Sequence, residues 1–264
     1  MIKNLVLLLF FVVFSSCEEK SKENHTTVTK STVSVKSSSR YPTVLQNIFE
    51  AHGGLNNWNS MNTLQFSFDT SNVTETHTTD LKSRKAYIES SAYTIGFDGE
   101  HPWIKDDSNT FEGNASFYYN LMFYFYAMPF VISDPGVFYT ERKDTTLDFQ
   151  TYGTLHIGFV RSVGNSPNDE YIIYYNKKTF EMTWLGYTVT YFDKKRSTQW
   201  HFIKYNNWQT IDGLKLPKTM VWYDTKNEKP QNPKNKVEFF DVSISPEITN
   251  ATLFQPIEGA EYVQ

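Results

Sequence analysis

Between Leu64 and Ile244, apolar residues recur at every second position in one short run after another. This is the period of a strand with one buried face, and a helix cannot gather such residues into a core. Leu64, Phe66 and Phe68 face one way with Gln65 and Ser67 between them, and Tyr187-Thr188-Val189-Thr190-Tyr191 repeats the pattern. Comparable β-rich runs cover 73–79, 86–90, 94–97, 154–160, 171–175, 199–205, 219–223 and 237–244. Asp98-Gly99 and Asp212-Gly213 mark tight turns, so neighbouring strands are expected to pair antiparallel. Aromatic residues make up 17% of the 264, with 21 Phe and 17 Tyr. They are numerous enough to fill a large core and to line a cavity besides. The expected class is mainly β, with a minor helical part (α+β).

Helices are predicted in two places. Val44, Leu45, Ile48, Phe49 and His52 share one face at helical spacing, after Pro42 at the first turn and before Gly53-Gly54, which stop a helix. From Asn114 to Phe130 the strand pattern breaks. There Phe117, Tyr118, Leu121, Met122, Phe125 and Met128 fall at three- and four-residue steps, with Tyr119, Phe123, Tyr124 and Tyr126 on the other faces. A helix apolar all round is buried on several sides. Such a helix either plugs the core or closes as a lid over an apolar cavity on the open side of a curved sheet.

The chain opens with Lys3, an unbroken apolar run from Leu5 to Phe14, and then Ser15-Ser16-Cys17, its only cysteine. A run this short does not cross a bilayer, which takes about 20 apolar residues; it suits the core of a secretion signal. The segment resembles a bacterial lipoprotein signal, apart from Phe14, where that pattern prefers an aliphatic residue. The resemblance implies a signal peptide over 1–16, acyl chains (palmitate among them) on Cys17 and anchoring to a Gram-negative outer membrane. Residues 18–40 are mostly Ser, Thr, Lys and Glu with three valines and no aromatic, too polar to offset the entropy of ordering them. Residues 17–40 are therefore expected to be a lipidated cysteine and a flexible tether, and 41–264 the folded domain. Glu18-Glu19 resembles an acidic signal for export to the cell surface, or is simply solvated linker. The periplasmic face and the cell surface both stay open.

Several pieces of the domain, in order, resemble the LolA/LolB-like lipoprotein carriers. Ala51-His52-Gly53-Gly54 with Trp58 and the strand 63–68 is similar to their opening helix and first strand. Phe97-Asp98-Gly99-Glu100 with Trp103 resembles their strand-turn-Trp element. Asn207-Trp208 with Ile211-Asp212-Gly213-Leu214-Lys215-Leu216-Pro217 resembles a late turn, and Phe254-Gln255-Pro256 a closing motif. The resemblance spans 41–263 and implies a strongly curved antiparallel sheet, an incomplete β-barrel with helices covering the open side. It also implies a hydrophobic cavity able to hold acyl chains.

Charge and motifs narrow the function further. A formal charge of −4 offers no basic footprint for nucleic acid. The six histidines show no HxH, HxxxH or HExxH spacing, so no metal site is expected. With one cysteine there are no disulfides to form, and no phosphate loop or nucleophile elbow suggests a cofactor or a hydrolase. His52, at a helix end, is explained by a charge or hydrogen bond to the last carbonyls. The carboxylates of Asp98 and Glu100, Asp106-Asp107 and Asp169-Glu170 read as turn residues. The expected function is a non-catalytic, lipid-anchored envelope protein holding a lipid or lipoprotein acyl chain. Its cavity is expected to be lined by Phe117, Leu121, Met122, Phe125 and Met128 from the helix and by Trp103, Trp184, Trp200 and Trp222 from the sheet. A surface module binding glycans or a protein partner through exposed aromatics is the alternative, and a carboxylate-dependent hydrolase a further one.

Overall fold

Alternation produces one large sheet. In the computed structural model, which describes residues 40–160, 166 and 168–263, thirteen strands pair antiparallel. They are β1 (Thr63–Asp69), β2 (Thr74–Asp80), β3 (Ala86–Glu89), β4 (Thr94–Phe97), β5 (Pro102–Lys105), β6 (Val137–Leu147) and β7 (Gln150–Phe159). There follow β8 (Tyr171–Tyr175), β9 (Met182–Tyr187), β10 (His201–Ile211), β11 (Leu214–Lys226), β12 (Lys229–Ser245) and β13 (Glu261–Tyr262). Their spatial order is β13-β5-β4-β3-β2-β1-β12-β11-β10-β9-β8-β7-β6. The end strands β13 and β6 do not meet, so the curved sheet stays open, the architecture of an incomplete barrel. Register shifts in β1, β6, β10 and β11 add the local bend and twist that bulges impose. The apolar run before Cys17, Cys17 itself and the tether lie outside the described residues.

Helices cover one face of the sheet. Two come first, α1 (Thr43–Ala51) and α2 (Leu55–Ser60). The aromatic segment supplies α3 (Ala115–Tyr118), α4 (Leu121–Tyr126) and a 3₁₀ turn (Phe130–Ser133). The single helix expected over 114–130 is thus two short ones, broken at Tyr119-Asn120. Asn114 caps the start, its Oδ1 accepting the Phe117 N–H at 2.9 Å. The breaks let successive rings reach different partners. Tyr119 stacks on Phe97 of β4 at 4.6 Å, Tyr126 on Phe66 of β1 at 4.3 Å, and Phe130 on Trp58 of α2 at 4.8 Å. One straight helix has no such reach.

The core lies between these helices and the inward face of β1, β7–β12. Leu64, Phe66, Leu155, Ile173, Leu185, Ile203, Met220 and Phe239 are all buried there with Leu45, Ile48 and Phe49 of α1. Helix α1 is moored at its far end, where the Lys215 N–H donates to the His52 carbonyl at 2.8 Å. The approach is close enough that a Cβ on Gly53 would stand 2.1 Å from the Gly213 carbonyl oxygen, and Gly53 has φ 103°. Only glycine fits such a position. The unit Ser39–Gln264 is compact by itself.

The run 187–191 departs from expectation. Strand β9 stops at Tyr187, because the two threonines bond a neighbouring loop instead of a ladder. The Thr188 N–H donates to the Glu170 carbonyl, the Glu170 N–H to Thr188 Oγ1, and the Thr190 N–H and hydroxyl to Asp169 Oδ1. Side chains of this type compete with sheet pairing.

Candidate functional site

That irregular run forms one wall of a cavity. The hollow measures about 240 Å³ and is half enclosed, between α3–α4, the stretch 134–137, the ends of β7 and β8, and residues 187–191. Leu121, Phe125, Val131, Val137, Phe159 and Tyr187 give it an apolar lining, while Arg84, Asp134 and Asp169 stand among the polar groups. The volume exceeds the roughly 150 Å³ that accommodates a benzene and falls below the roughly 300–1,000 Å³ typical of drug-sized ligands.

The expected cavity residues separate into three groups. Phe117, Leu121 and Phe125 line the hollow. Met122, on the face of α4 turned away from the cavity, and Met128, beyond the end of α4, are buried in the core instead. Trp222 lies on the helix-covered face beside the cavity, with its ring 6.0 Å from Phe125 and its Nε1–H donating to the Tyr187 hydroxyl at 3.2 Å. The other three tryptophans are on the opposite face. Trp103 pairs across β4 with Gly96 rather than with Ile95 and donates to the Phe254 carbonyl at 3.0 Å. Trp184 and Trp200 belong to a separate outer cluster with Tyr152, Tyr174 and Phe202. Strand alternation puts neighbours on opposite faces, so none of these three reaches the hollow.

Polar groups at the cavity were less visible in the sequence. Arg84, in the β2–β3 turn, donates through Nη2 to both Asp134 oxygens at 2.6 and 2.8 Å. Burial pushes the Asp134 carboxyl above the usual range even beside that guanidinium. Asp169, read above as a turn residue, is buried against Thr190. Burial raises its carboxyl too, opposed by the Thr190 hydrogen bonds.

A second buried polar group lies under α3. Glu75 Oε2 accepts from His77 Nε2 at 2.7 Å and from the Tyr118 hydroxyl at 2.7 Å, and Oε1 accepts from the Tyr93 hydroxyl. Burial pushes the Glu75 carboxyl up, but the His77 contact and the two phenols hold it below the usual range. Glu75 and His77 pair across the sheet with Phe68 and Phe66. The signal was an i, i+2 pair of ionisable residues in a strand whose other members are mostly threonines. The cluster ties α3 to β2, beside the cavity.

His52 is buried and neutral. Its Nδ1–H donates to the Ile48 carbonyl at 2.7 Å and burial lowers its pKa to about 4. A larger, polar hollow of about 530 Å³ lies by Asp106, Asn109 and Glu261. There the Asp106 carboxylate already accepts from Thr110 and the Phe111 N–H. Among the described residues no three His, Cys, Asp or Glu are grouped to hold a metal, and no helix is long and apolar enough to cross a membrane.

Fold and site together define an open half-barrel with an apolar cavity beneath its helices. The chain belongs to a family of unknown function, DUF6503, whose pattern matches residues 3–238. Among solved structures it is similar to a LolA superfamily protein from Nitrosomonas europaea, at 10% identity and TM-score 0.45 over 80% of this chain and 97% of that one. It is also similar to a DUF1329 family protein from Desulfovibrio piger, at 8% identity and TM-score 0.48 over 80% of this chain and 95% of that one. No curated protein matches it.

Proposed function

We propose that this protein holds an apolar ligand, a lipid or the acyl chain of a lipoprotein, under α3 and α4 without catalysing a reaction. The observation that carries the reading is the cavity, walled by Leu121, Phe125, Val131, Val137 and Phe159 on the helix-covered face of an open sheet. Each methylene moved from water into such a lining gains about 0.8 kcal/mol. Eight of them gain about 6 kcal/mol before the costs of association. In this reading Cys17 carries the lipid anchor and residues 17–40 give the domain reach from an outer membrane. The reading has no need of a cofactor.

Native mass spectrometry of the unit Ser39–Gln264, purified from bacteria without detergent, tests the proposal. The expected result is a co-purifying lipid that organic extraction identifies and that Leu121→Asp or Phe125→Asp releases. A bare protein with no affinity for an apolar fluorescent probe overturns it.

A further inference from the structure

A basic and aromatic loop stands at the rim of the cavity. After Tyr191, which lines the hollow, the residues Phe192-Asp193-Lys194-Lys195-Arg196 are all exposed. Phe192 leaves 64% of its surface to solvent, and its ring packs on Tyr191 and Phe117 at 5.2 and 5.3 Å. The base of the loop is fixed. The Thr190 N–H and hydroxyl both donate to the buried Asp169, the Lys194 N–H donates to the Thr190 carbonyl at 2.8 Å, and Asn168 Nδ2 donates to the Lys194 carbonyl at 2.9 Å. A ring and three cations held in a preset turn lose little further freedom on meeting a partner.

Two more apolar side chains, Phe138 and Val160, are exposed at the same end of the sheet. Val137 pairs with Phe159, Ile157 with Tyr171 and Tyr171 with Tyr187, which sets 138, 160 and 192 at the strand ends that border the hollow. Exposed Phe149 lies at the far end, in the β6–β7 turn, and the bases near it are already matched. There Lys204 meets Asp148 at 2.7 Å and Lys177 meets Asp144 at 2.5 Å. Of Lys194, Lys195 and Arg196, only Arg196 has a carboxylate at ion-pair distance among the described residues, Glu170 at 3.4 Å. Lys194 Nζ lies instead over the Tyr191 ring, 4.1 Å from its centroid.

An exposed ring among unmatched cations suits a surface that is apolar beneath and anionic on top, the boundary of a bilayer. An acidic protein would answer the cations too. A bilayer is favoured because the loop borders an apolar hollow whose occupant, in the cavity reading above on which this choice rests, is a lipid or acyl chain. We infer that residues 192–196 dock the domain on a bilayer with anionic headgroups, Phe192 entering the interface and Lys194, Lys195 and Arg196 meeting phosphates. The Phe117–Phe192 side of the cavity then faces the membrane.

The test is flotation of the unit Ser39–Gln264, which holds the whole sheet and core, with vesicles of phosphatidylcholine or of an equal mixture with phosphatidylglycerol. A cation at an anionic surface raises partitioning roughly fivefold, so three of them opposed by Asp193 should favour the mixed vesicles roughly twentyfold. The triple variant Lys194→Gln, Lys195→Gln, Arg196→Gln should lose that preference, and Lys195→Gln with Arg196→Gln, which leaves the hydrogen-bonded turn untouched, covers the case of a misfolded triple variant. Phe192→Ser should cut binding to the mixed vesicles roughly tenfold, whereas Phe149→Ser at the far end should change nothing. Equal binding to both vesicle types, no binding to either, or a preference that survives both charge variants overturns the inference. Loss of binding in the charge variants with none in Phe192→Ser overturns it as well, because the loop is then a basic patch fit for an acidic protein. Uptake of an apolar fluorescent probe without vesicles reads the cavity by itself and is expected to be unchanged in the charge variants. Uptake without vesicle binding removes the docking alone, and vesicle binding of the expected pattern without uptake removes the cavity reading and leaves the docking standing.

Discussion

Acid should weaken this fold in a measurable part through His52. The ring is fully buried, with Trp208 at 4.7 Å between centroids. Its Nδ1–H is committed to the Ile48 carbonyl, and its Nε2 accepts the Met182 N–H at 3.4 Å. A second proton has to sit on Nε2, where it would face another N–H. Burial first, and Lys215 after it, hold the folded pKa at about 4 against 6.5 for the free side chain. The unfolded chain takes up that proton more readily than the folded one. His52 therefore contributes stability that is complete above pH 6.5 and is lost as the pH falls toward 4. At about 1.36 kcal/mol per unit the whole loss is about 3 kcal/mol, and about 2.5 kcal/mol of it falls between about pH 7.5 and about pH 4.5. His52→Asn keeps a donor for Ile48 and cannot be protonated. In urea unfolding, the drop in unfolding free energy between those two pH values should be larger for the unmodified protein by about 2.5 kcal/mol. Carboxylates titrate in both proteins and cancel in the comparison. Equal drops would refute the reasoning, because His52 would then bind its proton in the folded state as readily as in the unfolded one.

Two further predictions concern the supports of the site. Glu75→Leu leaves His77, Tyr93 and Tyr118 without their shared acceptor and should cost about 3 kcal/mol in denaturant unfolding; a cost below about 1 kcal/mol would mean that the cluster is already solvated. Gly53→Ala sets a Cβ against the Gly213 carbonyl at a φ of 103° and should lower stability by more than about 1 kcal/mol, read as a fall in urea midpoint at unchanged slope.

The sheet was legible because its signal is local. Alternation at 63–69 and the Asp212-Gly213 turn report themselves within a few residues; β1 appears where the sequence placed it, and β10 and β11 contain the expected runs 199–205 and 219–223 but extend to the turn between them. Strand β6 was missed, since its residues Thr140 to Thr146 are polar on both faces, as suits the uncovered edge of a sheet. The cavity was legible only from the helix side. Phe117, Leu121 and Phe125 follow from spacing along one segment, but which face a tryptophan occupies depends on strand register. Trp103 and Trp222 look alike in the sequence and end on opposite faces. Arg84 and Asp134 come together across 50 residues, and Asp169 joins the same lining from further along the chain, distances that turn signals do not span.

The aromatic segment was expected to be either a plug or a lid, and its geometry makes it a plug with one cavity-facing edge. Met122, Tyr126, Met128, Phe130 and Val131 are buried against the sheet and α1–α2. Exposing them together, at about 2 kcal/mol each, costs on the order of 10 kcal/mol. That is comparable with the whole stability of an ordinary domain, about 5–15 kcal/mol, so the segment does not lift away as a unit to admit a ligand. The α3 end is held differently. Phe117 packs on Tyr191 and Phe192 at 4.9 and 5.3 Å, and Phe192 is 64% exposed, so parting these rings uncovers little new surface. Entry is therefore expected at the 117–192 contact, beside the hollow rather than through the core, and a cross-link between Phe117→Cys and Phe192→Cys should block probe uptake until it is reduced. Uptake at an unchanged rate in the cross-linked protein would place the entrance elsewhere along the cavity wall.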